Sequence, residues 1–194
     1  MPPRSRAPDL SSRCGRCLFP PAFCLCPEVR PVRTRTRLLF LRHASEIARP
    51  TNTVRWAALA LRDAQLLEYG LPGARLDDRP LRGEGTWVLF PSPRPSPPPS
   101  VPPRRLVVLD GSWAQARRML QRVPALRALP RLCLPAPAPR PRLRRPTVVG
   151  GMSTLEALAG ALALLGEPEA ARQLDALHAA ALDRATRLRY GKGA

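Results

Sequence analysis

Residues 105–110, RLVVLD, are an apolar run closed by an aspartate, and GSWAQARRMLQRV follows at once with helical spacing. This order of strand, short loop and helix constrains the fold most, because a strand apolar on both faces needs helices covering both. Other segments repeat the pattern. TRTRLLFL at 34–41 reads as a strand ending at Arg42 and His43, TWVLFPS at 86–92 as another, and LCL around Cys133 as strand-like. VRWAALALRDAQLL, from Val54 on, reads as a helix that Thr51, Asn52 or Thr53 could cap. Ser153, with Glu156 three residues on, opens a further helix through a capping box, and EAARQLDALHAAALDRATRL is the last. The expected class is an α/β domain whose ligands gather at the C-terminal ends of its strands.

A chain of 194 residues supports one modest domain and excludes a second large one. Its 26 prolines and 12 glycines would suggest disorder if spread evenly, but the prolines cluster in 91–103 and 135–146 and punctuate an otherwise ordinary domain. The apolar runs are too short for a membrane span, and MPPRSRAPDLSSR lacks the apolar stretch of an export signal, so a cytoplasmic protein is expected. The 32 basic residues against 14 acidic ones give a charge of +18, which attracts polyanions, nucleic acid first. Lys192 is the only lysine, so coding bias accounts for part of that surplus. Among the arginines, Arg117, Arg118, Arg140, Arg142, Arg144 and Arg145 lie nearest the polar signatures and are the candidate phosphate contacts, the alternative being a solvated arginine-biased surface.

Cys14, Cys17, Cys24 and Cys26 place four soft ligands within thirteen residues. Such a set suits tetrahedral zinc, although one residue between the second pair is tighter than the commoner spacing. A redox pair or unliganded thiols are the alternative. Four thiolates leave no open coordination position, so zinc here would organise rather than catalyse. Residues 1–30 are therefore read as a cysteine-organised head and 31–194 as the main domain, with a proline-rich insert at 93–103. Cys133 reads as a small buried hydrophobe.

Three polar clusters fall at element ends: His43 to Asn52, Asp110 to Trp113, and Gly150 to Glu156. At Asp110, helix capping and ligand contact obey the same geometry, and both stay open. Trp113 is expected in the core rather than as a stacking platform. The GGMST string allows close backbone approach to a carboxylate or ribose. His43 serves either structural pairing or acid/base work. No serine-hydrolase arrangement is present, and His178 reads as part of an ordinary amphipathic helix.

Together these clusters resemble the DTW-domain family, the tRNA-uridine aminocarboxypropyltransferases. The resemblance is carried in order by CGRCLFPPAFCLC at 14–26, RHASEIARPTNT at 42–53, LFPS at 89–92, DGSWAQARRM at 110–119 and GGMSTLEALA at 150–159. Ser112 stands where the family also uses threonine, and Val54 where it has glycine. The resemblance implies a SPOUT-like parallel-sheet fold with a C-terminal trefoil knot, S-adenosylmethionine as co-substrate, and transfer of its 3-amino-3-carboxypropyl group to N3 of a tRNA uridine. It also implies cofactor loops at Leu89, Phe90, Pro91 and Ser92, at Asp110, Gly111, Ser112 and Trp113, and at Gly151, Met152, Ser153 and Thr154. Asp110 is the expected base, with His43 and Asn52 as further catalytic candidates. A tRNA or rRNA methyltransferase and a non-enzymatic zinc-dependent RNA-binding protein are the alternatives. The last helix could serve a homodimer contact or cover the protein's own sheet, so monomer and dimer both stay open.

Overall fold

The computed structural model describes residues 10–92, 99–136, 142 and 150–188. The apolar runs become five strands: β1 (Arg37–His43), β2 (Gln65–Tyr69), β3 (Thr86–Leu89), β4 (Arg105–Asp110) and β5 (Arg131–Leu132). Every neighbouring pair is parallel, in the order β2-β1-β4-β3-β5, so the two longest apolar runs, β1 and β4, lie side by side inside the sheet. Parallel neighbours need crossovers. Helix α1 (Thr53–Ala60) lies between β1 and β2, and α2 (Trp113–Arg122) with the single turn α3 (Pro124–Arg127) between β4 and β5. Helices α4 (Thr154–Leu164) and α5 (Pro168–Arg187) complete the chain.

Strand alternation divides the core between the two faces of the sheet. Leu38, Phe40, Leu106 and Val108 pack with α1, α4 and α5, while Leu39, Leu41, Val107 and Leu109 pack with α2 and α3. The same rule overturns one expectation. The helix read from Val54 through Leu67 ends at Ala60, and Gln65–Tyr69 instead pairs with Leu39–His43. Leu66 and Leu67 thereby reach opposite faces of the sheet, a division that two consecutive residues make in a strand. β3 stops at Leu89 rather than continuing to Ser92, just before Pro91, which has no N–H for a ladder. β5 is Arg131–Leu132, offset from the expected LCL.

The cysteine-rich segment is built into the first of these two cores. Cys17, Phe19 and Leu25 are fully buried there. The Phe19 ring stacks on Trp56 at 5.3 Å, and Trp56 Nε1 donates to the Cys17 carbonyl at 3.1 Å. From α5, the Arg187 guanidinium lies 5.2 Å over the Phe23 ring. Among the described residues no helix is long and apolar enough to cross a membrane. The knot implied by the resemblance would depend on the path of residues 137–149, of which only Arg142 is described.

Candidate functional site

β4 delivers Asp110 to the C-terminal edge of the sheet, where it is 4% exposed. Its two oxygens tie together two helix starts. Oδ2 accepts from Asn52 Nδ2 at 2.6 Å, and Oδ1 accepts from Thr154 Oγ1 at 2.8 Å. Asn52 is also the N-cap of α1, its Oδ1 accepting from Arg55 N at 2.8 Å. Capping of α2 falls to Ser112, in a reciprocal box with Gln115, so Asp110 is not a helix cap. Burial pushes its carboxyl up to about 6; the hydrogen bonds from Asn52 and Thr154 oppose the rise, as does the Arg42 charge, while Glu46 adds to it.

Beside this joint lies a cavity of about 300 Å³ at the ends of β3, β4 and β5. Of the candidate cofactor residues, Leu89, Phe90, Pro91, Gly111, Trp113, Met152 and Thr154 line it, so all three expected loops contribute to one cavity. Trp113, expected in the core, is half-buried in this wall, 5.7 Å from the Phe90 ring. Ser92 and Gly151 adjoin lining residues in the chain. Ser112 and Ser153 turn their hydroxyls to the N-termini of α2 and α4. His43 and Asn52 lie on the β1 side, Asn52 buried beneath Asp110. Val54 is fully buried in the first turn of α1, a helical position that needs no glycine.

The arginines differ in placement. Arg117 and Arg118 are exposed on α2. Arg142 lies 3.2 Å from Glu156, whose carboxyl is held low: burial raises it, but hydrogen bonds from Ser153 and Arg142 and the charge of His178 outweigh that. Arg140, Arg144 and Arg145 lie outside the described residues. Three contributors escaped the sequence reading. His178 is buried 3.5 Å from Ser153 Oγ, Gln115 bonds Ser45, and Arg42 pairs with Glu68 across the β1–β2 ladder. Gln115 had a local signal in the Ser-x-x-Gln capping box. A histidine on an amphipathic helix has none.

The four head cysteines bring their sulfurs within 4.8 Å of one another. Cys14 to Cys26 is 3.7 Å and Cys17 to Cys24 is 3.8 Å. Four sulfurs at about 2.3 Å around a tetrahedral ion stand about 3.8 Å apart, the spacing of these two pairs, and the set as a whole could hold a metal. The thiols titrate unequally. Backbone hydrogen bonds from Cys17 and Arg16 bring Cys14 down to about 6, while burial and neighbouring thiols push Cys26 up to about 12.

The sequence profile of the DTW domain matches residues 11–186. The chain belongs to the DTW-domain family. Its DTW loop, Asp110 to Trp113, is the one at the joint between Asn52 and Thr154. Among curated proteins it is similar to tRNA-uridine aminocarboxypropyltransferase 2 of Drosophila melanogaster, 29% identical over 181 residues covering 86% of this chain and 71% of the fly protein. It is also similar to the Mus musculus protein of the same name, 31% identical over 117 residues covering 54% of this chain and 39% of the mouse protein. No solved structure matches this DTW chain.

Proposed function

We propose that this DTW protein is a cytoplasmic enzyme with a SPOUT-like domain that transfers the 3-amino-3-carboxypropyl group of S-adenosylmethionine to N3 of a tRNA uridine. The observation that carries the reading is the convergence of three family strings on one cavity, with Asp110 bonded to the cavity residue Thr154. The names of the fly and mouse relatives support it. About 300 Å³ lies at the lower end of small-molecule sites. The Phe90 and Trp113 rings offer flat apolar surface to the adenine and a π face to the sulfonium.

In the reaction N3 gives up its proton and attacks the methionine Cγ. The Cγ–S bond breaks, its electron pair stays on sulfur, and methylthioadenosine leaves. Asp110 is the proposed acceptor of the N3 proton, through Thr154: the hydroxyl already donates to Oδ1, so it can pass that hydrogen on as it takes the one from N3. Gly151 is assigned, through its backbone, to hold the amino acid or ribose end; Ser153 and Thr154, the other candidates for that grip, have their hydroxyls on the α4 cap and on Asp110. Attack at Cγ rather than at the methyl carbon is a matter of orientation, where a misplacement of about an ångström costs on the order of a hundredfold. Zinc on Cys14, Cys17, Cys24 and Cys26 organises the head. Arg117 and Arg118, with Arg140, Arg144 and Arg145, are assigned to tRNA phosphates; Arg142 is left out because it faces Glu156.

The test is incubation of purified protein with S-adenosylmethionine and unmodified tRNA, followed by mass spectrometry of the nucleosides. Aminocarboxypropyluridine together with methylthioadenosine is expected. The mass of a single methyl would assign a methyltransferase instead, and absence of both products would leave an RNA-binding protein.

A further inference from the structure

Asp110, Arg42 and Glu68 stand in one row across the sheet. The parallel register sets Arg42 of β1 between Asp110 of β4 on one side and Glu68 of β2 on the other. Side chains alternate along a strand, so the three continue the row of Val108, Phe40 and Leu66 on the face that α1 and α4 cover. With neighbouring strands about 4.8 Å apart, a side chain as long as arginine reaches either carboxylate. Here it goes to Glu68: Nε lies 3.2 Å from both Glu68 oxygens, and Nη2 donates to Oε1.

Asp110 is left to Asn52 and Thr154, a neutral donor on each oxygen. A carboxylate offers about four acceptor sites, so it has room for a guanidinium as well. The Arg42 side chain is 8% exposed and cannot turn to water instead, so it needs one of the two carboxylates. The other charges around Asp110 are engaged elsewhere. Arg55 of α1 donates to the Ile47 carbonyl, and Glu46, in the turn after β1, pairs with Arg49 at 3.2 Å. Glu156 of α4 is held by Arg142, His178 of α5 lies against Ser153, and β3 has no ionisable side chain.

We propose that Glu68 is a positioning residue: by taking the Arg42 guanidinium it keeps that group off the Asp110 carboxylate and leaves Asp110 able to accept a proton, an inference that rests on the proposed uridine transfer. An arginine bonded to Asp110 would hold it ionised and make it a poorer base, since an adjacent guanidinium lowers a carboxyl by about one to three pH units. A poorer base takes the N3 proton less readily. Even from its present place the Arg42 charge opposes the rise to about 6 that burial causes.

Carboxyl ¹³C NMR of protein labelled at aspartate reads Asp110 without any substrate, its signal identified by its absence from Asp110→Asn. The wild-type carboxyl should titrate near about 6. In Glu68→Leu the guanidinium has Asp110 as its remaining carboxylate, and the titration should move down by about one pH unit or more. Glu68→Gln keeps one acceptor oxygen and should move it the same way by less. Arg42→Leu combined with Glu68→Leu removes the pair as a unit and should return it to about 6 or above. An unmoved titration in Glu68→Leu, or in Glu68→Gln should Glu68→Leu not fold, overturns the proposal, as does a low titration that persists in the double variant. In transfer assays the acid limb of the pH profile should follow the same shifts, with the KM for S-adenosylmethionine unchanged; a fall in kcat with an unmoved acid limb would reduce Glu68 to a structural role. If wild-type protein forms no aminocarboxypropyluridine, the parent reading fails, and the NMR titration still decides whether Glu68 diverts Arg42. If it transfers normally while titration and acid limb stay put in the Glu68 variants, only the present inference falls.

Discussion

Asp110 holds Asn52 with one oxygen and Thr154 with the other, yet burial still lifts its carboxyl to about 6. A carboxyl raised above its ordinary 3.8 favours the fold in its protonated form: that contribution is complete below 3.8 and is lost as pH rises through about 6. The shift corresponds to about 3 kcal/mol. As the proposed base Asp110 has to be ionised, so the rate of the proposed transfer should fall as pH is lowered through about 6. Asp110→Asn separates the two effects. Its amide oxygen can face Asn52 and its NH₂ the Thr154 hydroxyl, so thermal melts at neutral pH should show a midpoint no lower than wild type, and the loss of stability that Asp110 causes as pH rises through about 6 should be missing. S-adenosylmethionine should still bind, while transfer drops by about a hundredfold or more; wild-type turnover in this variant would remove Asp110 as the base. The relay makes a second demand. Thr154→Ser should retain most of kcat and Thr154→Val should lose it, and a Val variant as fast as the Ser variant would exclude the hydroxyl.

Helix starts hold these residues in place. Ser153 caps α4, its hydroxyl accepting from Glu156 N at 3.2 Å, and the next residue is Thr154. Ser153→Ala should cost about 1 kcal/mol, a fall of roughly 2–4 °C in melting midpoint for a chain of this size. It should also loosen the Thr154–Asp110 bond, so kcat should fall further than in Ser112→Ala, which frays α2; the reverse ranking in paired melts and assays would contradict this. The cap of α4 was legible because a capping box is written within four residues. The tie from Asn52 through Asp110 to Thr154 was not, since its partners lie 58 and 44 residues apart and meet only once β1 and β4 pair. β2 was hidden for a related reason. QLLEY follows an Ala- and Leu-rich helix with no break that propensity alone would mark, and only pairing with Leu39–His43 makes it a strand. The DTW and GGMST strings pointed to the cavity loops through their family resemblance, but the direction of each hydroxyl was beyond reach: Ser112 and Ser153 cap helices, whereas Thr154 bonds Asp110.

Across the whole molecule, the head and the site are joined through α1. Cys17 and Phe19 grip Trp56 on that helix, and Asn52 at its N-terminus grips Asp110. Stripping metal from the protein with a chelator should therefore lower the melting midpoint, red-shift the Trp56 contribution to fluorescence and reduce transfer, all reversed by restoring zinc; a chelated protein with unchanged melting would show that the thiols need no metal. The other whole-molecule property is charge. From residue 111 to 155 the chain has no Asp or Glu, and α2 exposes Arg117 and Arg118 beside the DTW loop. Polyanion binding by such a face proceeds by counterion release, so tRNA affinity should fall linearly on a log–log plot against salt. Replacing both arginines by alanine should make that slope shallower by about 1.4–1.8, because each phosphate an arginine neutralises accounts for about 0.7–0.9 of it. S-adenosylmethionine affinity should stay unchanged, because neither residue lines the cavity. Titrations of wild-type and doubly substituted protein at several ionic strengths check this, and parallel slopes would place the tRNA on another face.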